Sequence, residues 1–255
     1  MTVVISRDYP LSDLLPMHTP YRTPLARLVR LYSLLTLLSA ALLAASSAHA
    51  QSEQRRLVTA STLTFNSFYN DPDMAWLRQN LGRARAVMIV PEFTKAGIIV
   101  GGAGGRAVVV VRDPKSGRWA GPAFYSLVTA SIGLQAGVSV SEVVTLIMTE
   151  KAVAKLLANS FRLGGDVAIA VGPVGGGAQS ALAADVVSFS RGHGVYVGVN
   201  LDGTIVSTSD DWNDLYYGRR VQAPDILMRT TVRSPHAKEL LNVIATAAKN
   251  SAAKP

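Results

Sequence analysis

The most restrictive feature of the sequence is a short β-like segment between glycine clusters, FRLGGDVAIAVGPVGGG at residues 161–177. Val167, Ile169 and Val171 occupy alternate positions, which places them on one face of a strand. The other face carries only alanine and glycine, so another backbone or layer can approach it closely. Pro173 cannot donate a ladder hydrogen bond, so we expect pairing to stop there or the strand to lie at a sheet edge.

The same glycine-spaced β pattern recurs on both sides of this segment. We predict a strand, a glycine turn and a second strand at residues 97–114, GIIVGGAGGRAVVVVRDP. A further β run is predicted at 131–148, SIGLQAGVSVSEVVTLIM. Two strands joined at 192–194 are predicted at 184–203, ADVVSFSRGHGVYVGVNLDG. Helical spacing or caps predict helices at 52–71, from 72 to about 82, at 150–160, at 210–220 and at 234–249. The fold class we predict is α+β: a single domain with a glycine-rich, mostly antiparallel, curved or partly closed sheet, flanked by N- and C-terminal helices.

One glycine motif imitates a dinucleotide-binding fingerprint. GAGGRA at 102–107 follows a strand-like GIIV, as the G-x-G-x-x-A pattern requires. That chemistry needs a helix N-terminus next, to receive a pyrophosphate. The segment VVVVRDP follows instead, and four consecutive β-branched residues indicate a strand. We therefore predict a β-hairpin and no nucleotide site.

The first fifty residues have the pattern of an export leader. Arg22, Arg27 and Arg30 precede the 15-residue apolar run at 31–45, which is shorter than the roughly 20 residues that a membrane-spanning helix needs. The run ends in SSAHA, where Ala48 and Ala50 form the A-x-A arrangement that signal peptidase recognises. We expect residues 1–50 to be removed and the protein to reach the periplasm or cell envelope. An uncleaved anchor is the alternative, and translation can begin at Met1 or Met17.

Charge favours an anionic partner for the remainder of the chain. The protein has 25 Lys and Arg against 17 Asp and Glu, of which the leader holds 4 and 2, so residues 51–255 carry a net charge of +6. An exported basic protein can meet an anionic leaflet or wall polymer, whereas nucleic acid is not expected outside the cytoplasm. A basic surface without any partner is the alternative.

Catalytic chemistry finds few suitable side chains. The chain has no cysteine, no G-x-S-x-G elbow and, beyond residue 50, only His193 and His236. These histidines are far apart and form no metal-ligand spacing, and Asp210, Asp211 and Asp214 are explained as helix-start residues. We expect no enzymatic activity, no metal site and no cofactor.

The N-terminal helix is the segment that could reach a membrane. Arg55 and Arg56 lie near its start, and Phe65 and Phe68 fall on an apolar stripe with Leu57. Such a helix can lie on a bilayer with its apolar face inserted. The alternative is that this face packs on the sheet as ordinary core.

Several motifs together resemble a known family. They are VMIVPEFTKAGIIVGGAGGRAVVVVRD, WAGPAFYSL, GLQAGVSVSEVV, FRLGGDVAIAVGPVGGGAQ, SFSRGHGVYVGVNLDGTIV and YYGR, in this order between about residues 55 and 248. They are similar to the SYLF domain, the Ysc84-type actin- and lipid-binding domain. The chain looks most like the bacterial branch that carries a signal peptide.

The resemblance implies a non-catalytic phospholipid-binding domain, with phosphoinositides as the ligands of eukaryotic members. Carried over to this sequence, it implicates the N-terminal helix and nearby basic residues: Arg55, Arg56, Leu57, Phe65, Phe68, Arg78, Arg83, Arg85 and Lys95. For an exported bacterial protein we expect anionic lipids such as phosphatidylglycerol or cardiolipin, and no actin. The alternative function is a periplasmic structural or protein-interaction module without a lipid ligand.

Overall fold

The computed structural model describes residues 53–97, 100–132, 137–172, 181, 183–192, 195–196 and 199–252. The chain divides into two units, Met1–Ser46 and Ser47–Pro255, and everything below concerns the second. The expected leader, with Ala48 and Ala50, lies outside the described residues. No helix within the described ranges is long and apolar enough to cross a bilayer.

Helices begin and end the described chain, as the sequence predicts. Helix α1 spans residues 53–70, followed by α2 (Ala75–Asn80), α3 (Glu150–Leu156), α4 (Asp210–Tyr217), α5 (Ala223–Leu227) and α6 (Lys238–Ala252), with 3-10 turns at Pro72–Met74, Leu81–Arg83 and Pro235–Ala237. The junction after α1 follows from local chemistry. The Asp71 side chain accepts a hydrogen bond from the Asp73 amide at 3.0 Å, and Pro72 occupies the first helical position.

The strands of the described chain form one sheet. They are β1 (Ala86–Gly97), β2 (Val100–Arg112), β3 (Trp119–Ile132), β4 (Gly137–Ile147), β5 (Ser160–Arg162), β6 (Ile169–Val171), β7 (Val186–Gly192), β8 (Val195–Tyr196) and β9 (Ile205–Thr208). Their spatial order is β5-β9-β3-β2-β1-β4-β7-β6, with β8 also paired to β7. Every pairing is antiparallel except that of β6 with β7. The sheet curls into a half-barrel, so the predicted α+β class and curved sheet are confirmed.

The central strands are buried on both faces. In β2, Val108 and Val110 contact one hydrophobic cluster, whereas Val109 and Val111 contact the other. This explains the run of four valines, because a strand covered on both sides needs no polar face. We call the side covered by α1, α2 and α6 the α1 face, and the side covered by α3, α5 and Leu201 the α3 face.

Two predictions about glycine segments have different outcomes. The glycine turn expected within residues 97–114 is wrong, because Gly101 to Gly105 lie inside the continuous strand β2. These glycines serve close backbone approach instead. A Cβ added at Gly105 would lie 2.4 Å from the carbonyl oxygen of Glu92, beside the register shift in β1. In contrast, the segment that ends at Pro173 does supply an edge strand, β6, as predicted.

Candidate lipid-contact surface

One end of the sheet projects beyond the helices and exposes an uncharged surface. In the paired register, Val138 lies opposite Ala96, Ala96 opposite Gly102, and Gly102 opposite Ala130. The next row joins Val140, Thr94, Gly104 and Val128 in the same way. Residues directly opposite each other share a face, and so do alternate residues of one strand. We call these eight residues the bare face.

The bare face continues the α1 face of the sheet. Val144 and Leu146 of β4 belong to the core under the helices, and Val138 and Val140 follow them at two-residue intervals toward the tip. No helix of the described chain covers this part, and the side chains of Val138, Val128 and Val140 are 74%, 61% and 42% exposed. Solvent-facing valines in adjacent rows of one sheet form an apolar patch of the kind that marks an interaction site.

Arginines border this patch. Ile205 of β9 is 41% exposed opposite Val128, and Arg162 of β5 is the next residue in that row. Arg106 follows Gly104 on the same face of β2, and its guanidinium carbon lies 3.9 Å from the centre of the Trp212 ring. Stacking on an indole holds the arginine in place while leaving its charge available. An apolar surface with cations at its border suits the interface of an anionic bilayer.

The predicted residue Lys95 belongs to the same end of the sheet. It lies between Thr94 and Ala96 in β1 and is exposed, opposite Ala103 and Ser139. Its side chain therefore stands on the reverse side from the bare face. A lysine stem is long enough to carry its ammonium group around a strand tip toward a charged surface.

The apolar stripe of α1 does not face solvent. Phe65 and Phe68 are both 0% exposed and lie in the core of the α1 face, and Phe65 stacks with Tyr69 at 6.1 Å between ring centres. Leu57 is half-buried and packs against the same cluster. The folded protein thus uses the three predicted apolar residues as core, which is the alternative that the sequence left open for this helix.

Arg55 and Arg56 remain on the surface of α1. Arg55 stands near the start of the C-terminal helical segment, and Oγ1 of Thr59, one turn further along α1, lies 3.5 Å from Nε2 of His236. Burial of the His236 imidazole is the larger cause of its lowered pKa, and the positive charge of Arg55 is the second cause. This charge also acts against the raised pKa of Tyr216, for which burial is the largest cause. The two arginines can therefore attract an anionic surface without leaving the fold.

A half-buried arginine, Arg191, fixes the other end of α1 to the sheet. Nη2 of Arg191 lies 2.8 Å from Oε2 of Glu142, its cross-strand partner, and Nη1 lies 3.3 Å from Oδ2 of Asp71. The same guanidinium lies 4.9 Å from the centre of the Phe68 ring. Oε1 of Glu142 also accepts a 2.8 Å hydrogen bond from the Thr64 hydroxyl. These contacts hold α1 against β4 and β7 beside the bare face.

The remaining predicted arginines lie elsewhere and have local partners. Arg78 donates to the backbone carbonyls of Tyr69, Asp71 and Pro72, and Arg83 donates to Asn80 at 3.2 Å. Arg85 pairs with Glu150 at 3.2 Å. Because Arg85 precedes β1 and Lys95 lies near its far end, about 30 Å of strand separates them. The structure does not gather the predicted basic residues into one patch.

No distinctive sequence pattern marks the bare face. Val138 and Val140 alternate with Ser139 and Ser141, which is the ordinary pattern of a half-buried strand. Only the register of four strands shows that the valines lie on the solvent side of this end. Within the described chain, no group of three or more His, Asp or Glu side chains could hold a metal ion.

Comparison with known proteins finds similarity to one family. The family model described as "Ysc84: Las17-binding protein actin regulator" matches residues 128–247. SH3 domain-containing YSC84-like protein 1 of Homo sapiens is 29% identical over 180 residues, which cover 69% of this chain and 52% of the human protein. Protein YSC84 of Saccharomyces cerevisiae is 29% identical over 177 residues, covering 67% of this chain and 37% of the yeast protein. LAS seventeen-binding protein 3 of the same species is 28% identical over 177 residues, which cover 67% of this chain and 38% of that protein.

The chain spans about half the length of the YSC84-like relatives that it matches, and less of the yeast proteins. The family model's match, residues 128–247, lies within the helix-flanked sheet domain. The family is one of non-catalytic binding domains. The family model, the relatives and the sequence motifs agree, and together they support the SYLF (Ysc84-type) domain family for this chain.

Proposed function

We propose that the protein is a non-catalytic binder of anionic phospholipid surfaces, and that the bare face makes the contact. The observation that carries this proposal is the exposed apolar end of the sheet, where Val138 is 74% exposed, bordered by Arg106 and Arg162. Neutral residues can enter the interfacial region of a bilayer, and the bordering cations then meet lipid phosphates. The net charge of +6 on residues 51–255 acts in the same direction.

In this proposal α1 does not insert into the bilayer. Phe65 and Phe68 stay in the core, because moving them into lipid would expose the sheet face that they cover. Arg55 and Arg56 contribute through charge alone, each with about 1 kcal/mol near an anionic surface. The helix thus stays packed on the sheet beside the bare face.

The test is co-sedimentation with vesicles of phosphatidylcholine alone and of phosphatidylcholine mixed with phosphatidylglycerol. Val138→Asp combined with Val140→Asp should reduce pelleting with the anionic vesicles at least tenfold in apparent affinity, because carboxylates would have to enter the interface. Met228→Asp is the matched control, since Met228 is 42% exposed on α5's side of the molecule. Wild-type pelleting by the double variant, or equal pelleting of the wild type on both vesicle types, would reject the proposal.

We further propose that the protein is exported and works at the cell envelope. Support comes from the apolar run at 31–45 and from Ala48 and Ala50, which fit signal-peptidase cleavage after residue 50. N-terminal sequencing of the protein from an envelope fraction should find Gln51 first. A chain that still carries residues 31–45 would contradict cleavage and indicate an anchor. In an envelope setting we expect no actin partner.

A further inference from the structure

A cleft opens on the α3 face beside the edge strand β6. Its volume is about 340 Å³. The residues that line it include Ala168, Ile169, Val171, Ser188, Leu201 and Asp202. One wall is thus β6, and the opposite wall is the loop that leads into β9. This cleft belongs to the segment with which the sequence analysis began, and lipid contact through the bare face makes no use of it.

The backbone of β6 has one edge turned toward β7 and one turned away. The Val186 amide donates to the Ala168 carbonyl at 3.0 Å, and the Gly172 amide donates to the Ser188 carbonyl at 2.7 Å. Amides and carbonyls of alternate residues point to the same side of a strand. The N–H and C=O groups of Ile169 and Val171 therefore point away from β7, and no strand of the described chain pairs with that edge.

This free edge is held in place from behind. Oδ2 of Asp185 accepts a 2.9 Å hydrogen bond from the Ala168 amide, which fixes the start of β6. At its other end, a Cβ added at Gly172 would lie 2.2 Å from the Phe189 ring, so only glycine lets the backbone lie this close. A rigid edge with unused donors and acceptors is prepared to pair with an extended chain at low entropic cost.

The side chains at the cleft indicate what kind of extended peptide could bind there. Ile169 lies opposite Val186 and Val171 lies opposite Ser188, so both side chains stand on the α3 face, in the cleft. Val171 is 45% exposed. Across the cleft, the exposed carboxylate of Asp202 has no hydrogen bond or ion pair with the part of the chain that the structure describes. The site thus offers apolar contact and one free negative charge.

We propose that β6 accepts an extended peptide segment of a protein partner by strand addition, and that a lysine or arginine of this segment pairs with Asp202. The peptide backbone bonds to the outward groups of Ile169 and Val171, while alternate side chains of the peptide enter the cleft. Main-chain pairing supplies affinity, and the basic side chain supplies selectivity. This is a second binding site, separate from the bare face.

The experiment pans a phage-displayed library of random linear peptides on the full-length protein and measures the affinity of synthetic versions of the enriched sequences. Enriched peptides should share a basic residue flanked by β-branched residues. Asp202→Lys should weaken their binding at least tenfold, because it places like charges together. Val171→Pro should do the same, since proline removes an N–H that points out of the sheet and leaves the pairing with β7 intact.

Controls separate this site from the fold and from lipid contact. Ala170→Pro removes an N–H directed toward β7, so it should lower the melting temperature, whereas Val171→Pro should not. Val171→Pro should pellet with anionic vesicles like the wild type, and Asp202→Lys, which adds positive charge, should pellet at least as well. Failure to enrich peptides, or enriched peptides that bind Asp202→Lys and Val171→Pro as tightly as the wild type, would overturn the proposal.

Discussion

The guanidinium of Arg191 and the carboxylate of Glu142 form a 2.8 Å pair across β7 and β4 and also carry the end of α1. The Arg191 side chain is 13% exposed, and it contacts Asp71 and Ser67 as well as Glu142. An arginine in this position leaves two half-buried carboxylates without a counter-charge when it is removed. The ionic contacts between the end of α1 and the sheet therefore centre on Arg191, in addition to the apolar packing of Phe65 and Phe68.

Replacing Arg191 tests this dependence. We expect Arg191→Met to lower the free energy of unfolding by about 2 kcal/mol, because Glu142 and Asp71 stay partly buried and lose their partner. Urea unfolding measures the change. Arg85→Met is the control, since the Arg85–Glu150 pair has side-chain exposures of 44% and 66% and should contribute less than about 0.5 kcal/mol. Equal unfolding midpoints for the two variants would show that Arg191 does not anchor the helix.

The phenylalanines of α1 give a direct test of core against lipid insertion. Phe65→Ala should cost about 3–5 kcal/mol of unfolding free energy, because the side chain is 0% exposed. Leu63→Ala on the same helix should change stability by no more than about 0.5 kcal/mol, since Leu63 is 67% exposed. Thermal or urea unfolding of both variants measures these changes in stability. A Phe65→Ala protein as stable as wild type would place this helix face outside the core.

The charges of α1 should affect lipid binding without affecting the fold. Arg55→Glu with Arg56→Glu should weaken binding to phosphatidylglycerol vesicles at least tenfold and leave the melting temperature nearly unchanged, because both arginines are exposed. The difference should shrink as added salt shortens the Debye length below about 8 Å.

An adjacent arginine pair elsewhere provides the matched control. Arg219→Glu with Arg220→Glu removes the same charge from another exposed segment, after α4. This pair should reduce vesicle binding less than the change at Arg55 and Arg56. Equal losses for the two double variants would mean that net charge, and not a defined surface, attracts the protein to the membrane.

Asp185 predicts a pH dependence of stability. Burial alone would raise the pKa of its carboxyl, but hydrogen bonds from the Ala168 amide, the Thr149 hydroxyl and the Lys151 ammonium group together bring this pKa below its ordinary value. A carboxyl with a lowered folded-state pKa contributes stability above its unfolded-state pKa of about 4, and this contribution disappears as pH falls through the folded-state pKa.

Asp185→Asn should therefore be less stable than wild type near neutral pH, and the gap should close toward about pH 2. Urea unfolding across this range measures the gap. Asp202→Asn is the control, because that carboxylate has no bonding partner among the described residues, and its stability difference should be small throughout. A gap for Asp185→Asn that stays constant with pH would contradict the role of its ionised form.

Local chemistry made much of the fold predictable from sequence. Asp71 and Pro72 mark a helix start in any context, and the valine run of β2 excludes the helix that a nucleotide fingerprint needs. The glycines at 101–105 misled the prediction, because a glycine that permits close backbone approach inside a strand has the same identity as one that forms a turn.

The candidate surfaces were less accessible to sequence analysis. The apolar stripe of α1 has the same pattern whether it faces lipid or sheet, and only the packing of Phe65 and Phe68 distinguishes the two. The bare face is assembled from four strands, and its membership depends on a register shift in β1 between Ile89 and Phe93. Such a shift reverses which side chains share a face, and the sequence marks it only by Pro91, a residue type that strands tolerate at bulges.

The strand order has a consequence for synthesis of the protein. Strand β3 (Trp119–Ile132) pairs on one side with its neighbour in sequence, β2, but on the other side with β9 (Ile205–Thr208) from late in the chain. A chain that emerges N-terminus first from a ribosome or an export channel presents β3 with an open edge until residues 205–208 have followed. During that interval the open edge can pair with other chains, so a nascent chain of this protein should depend on a chaperone that shields unpaired strands.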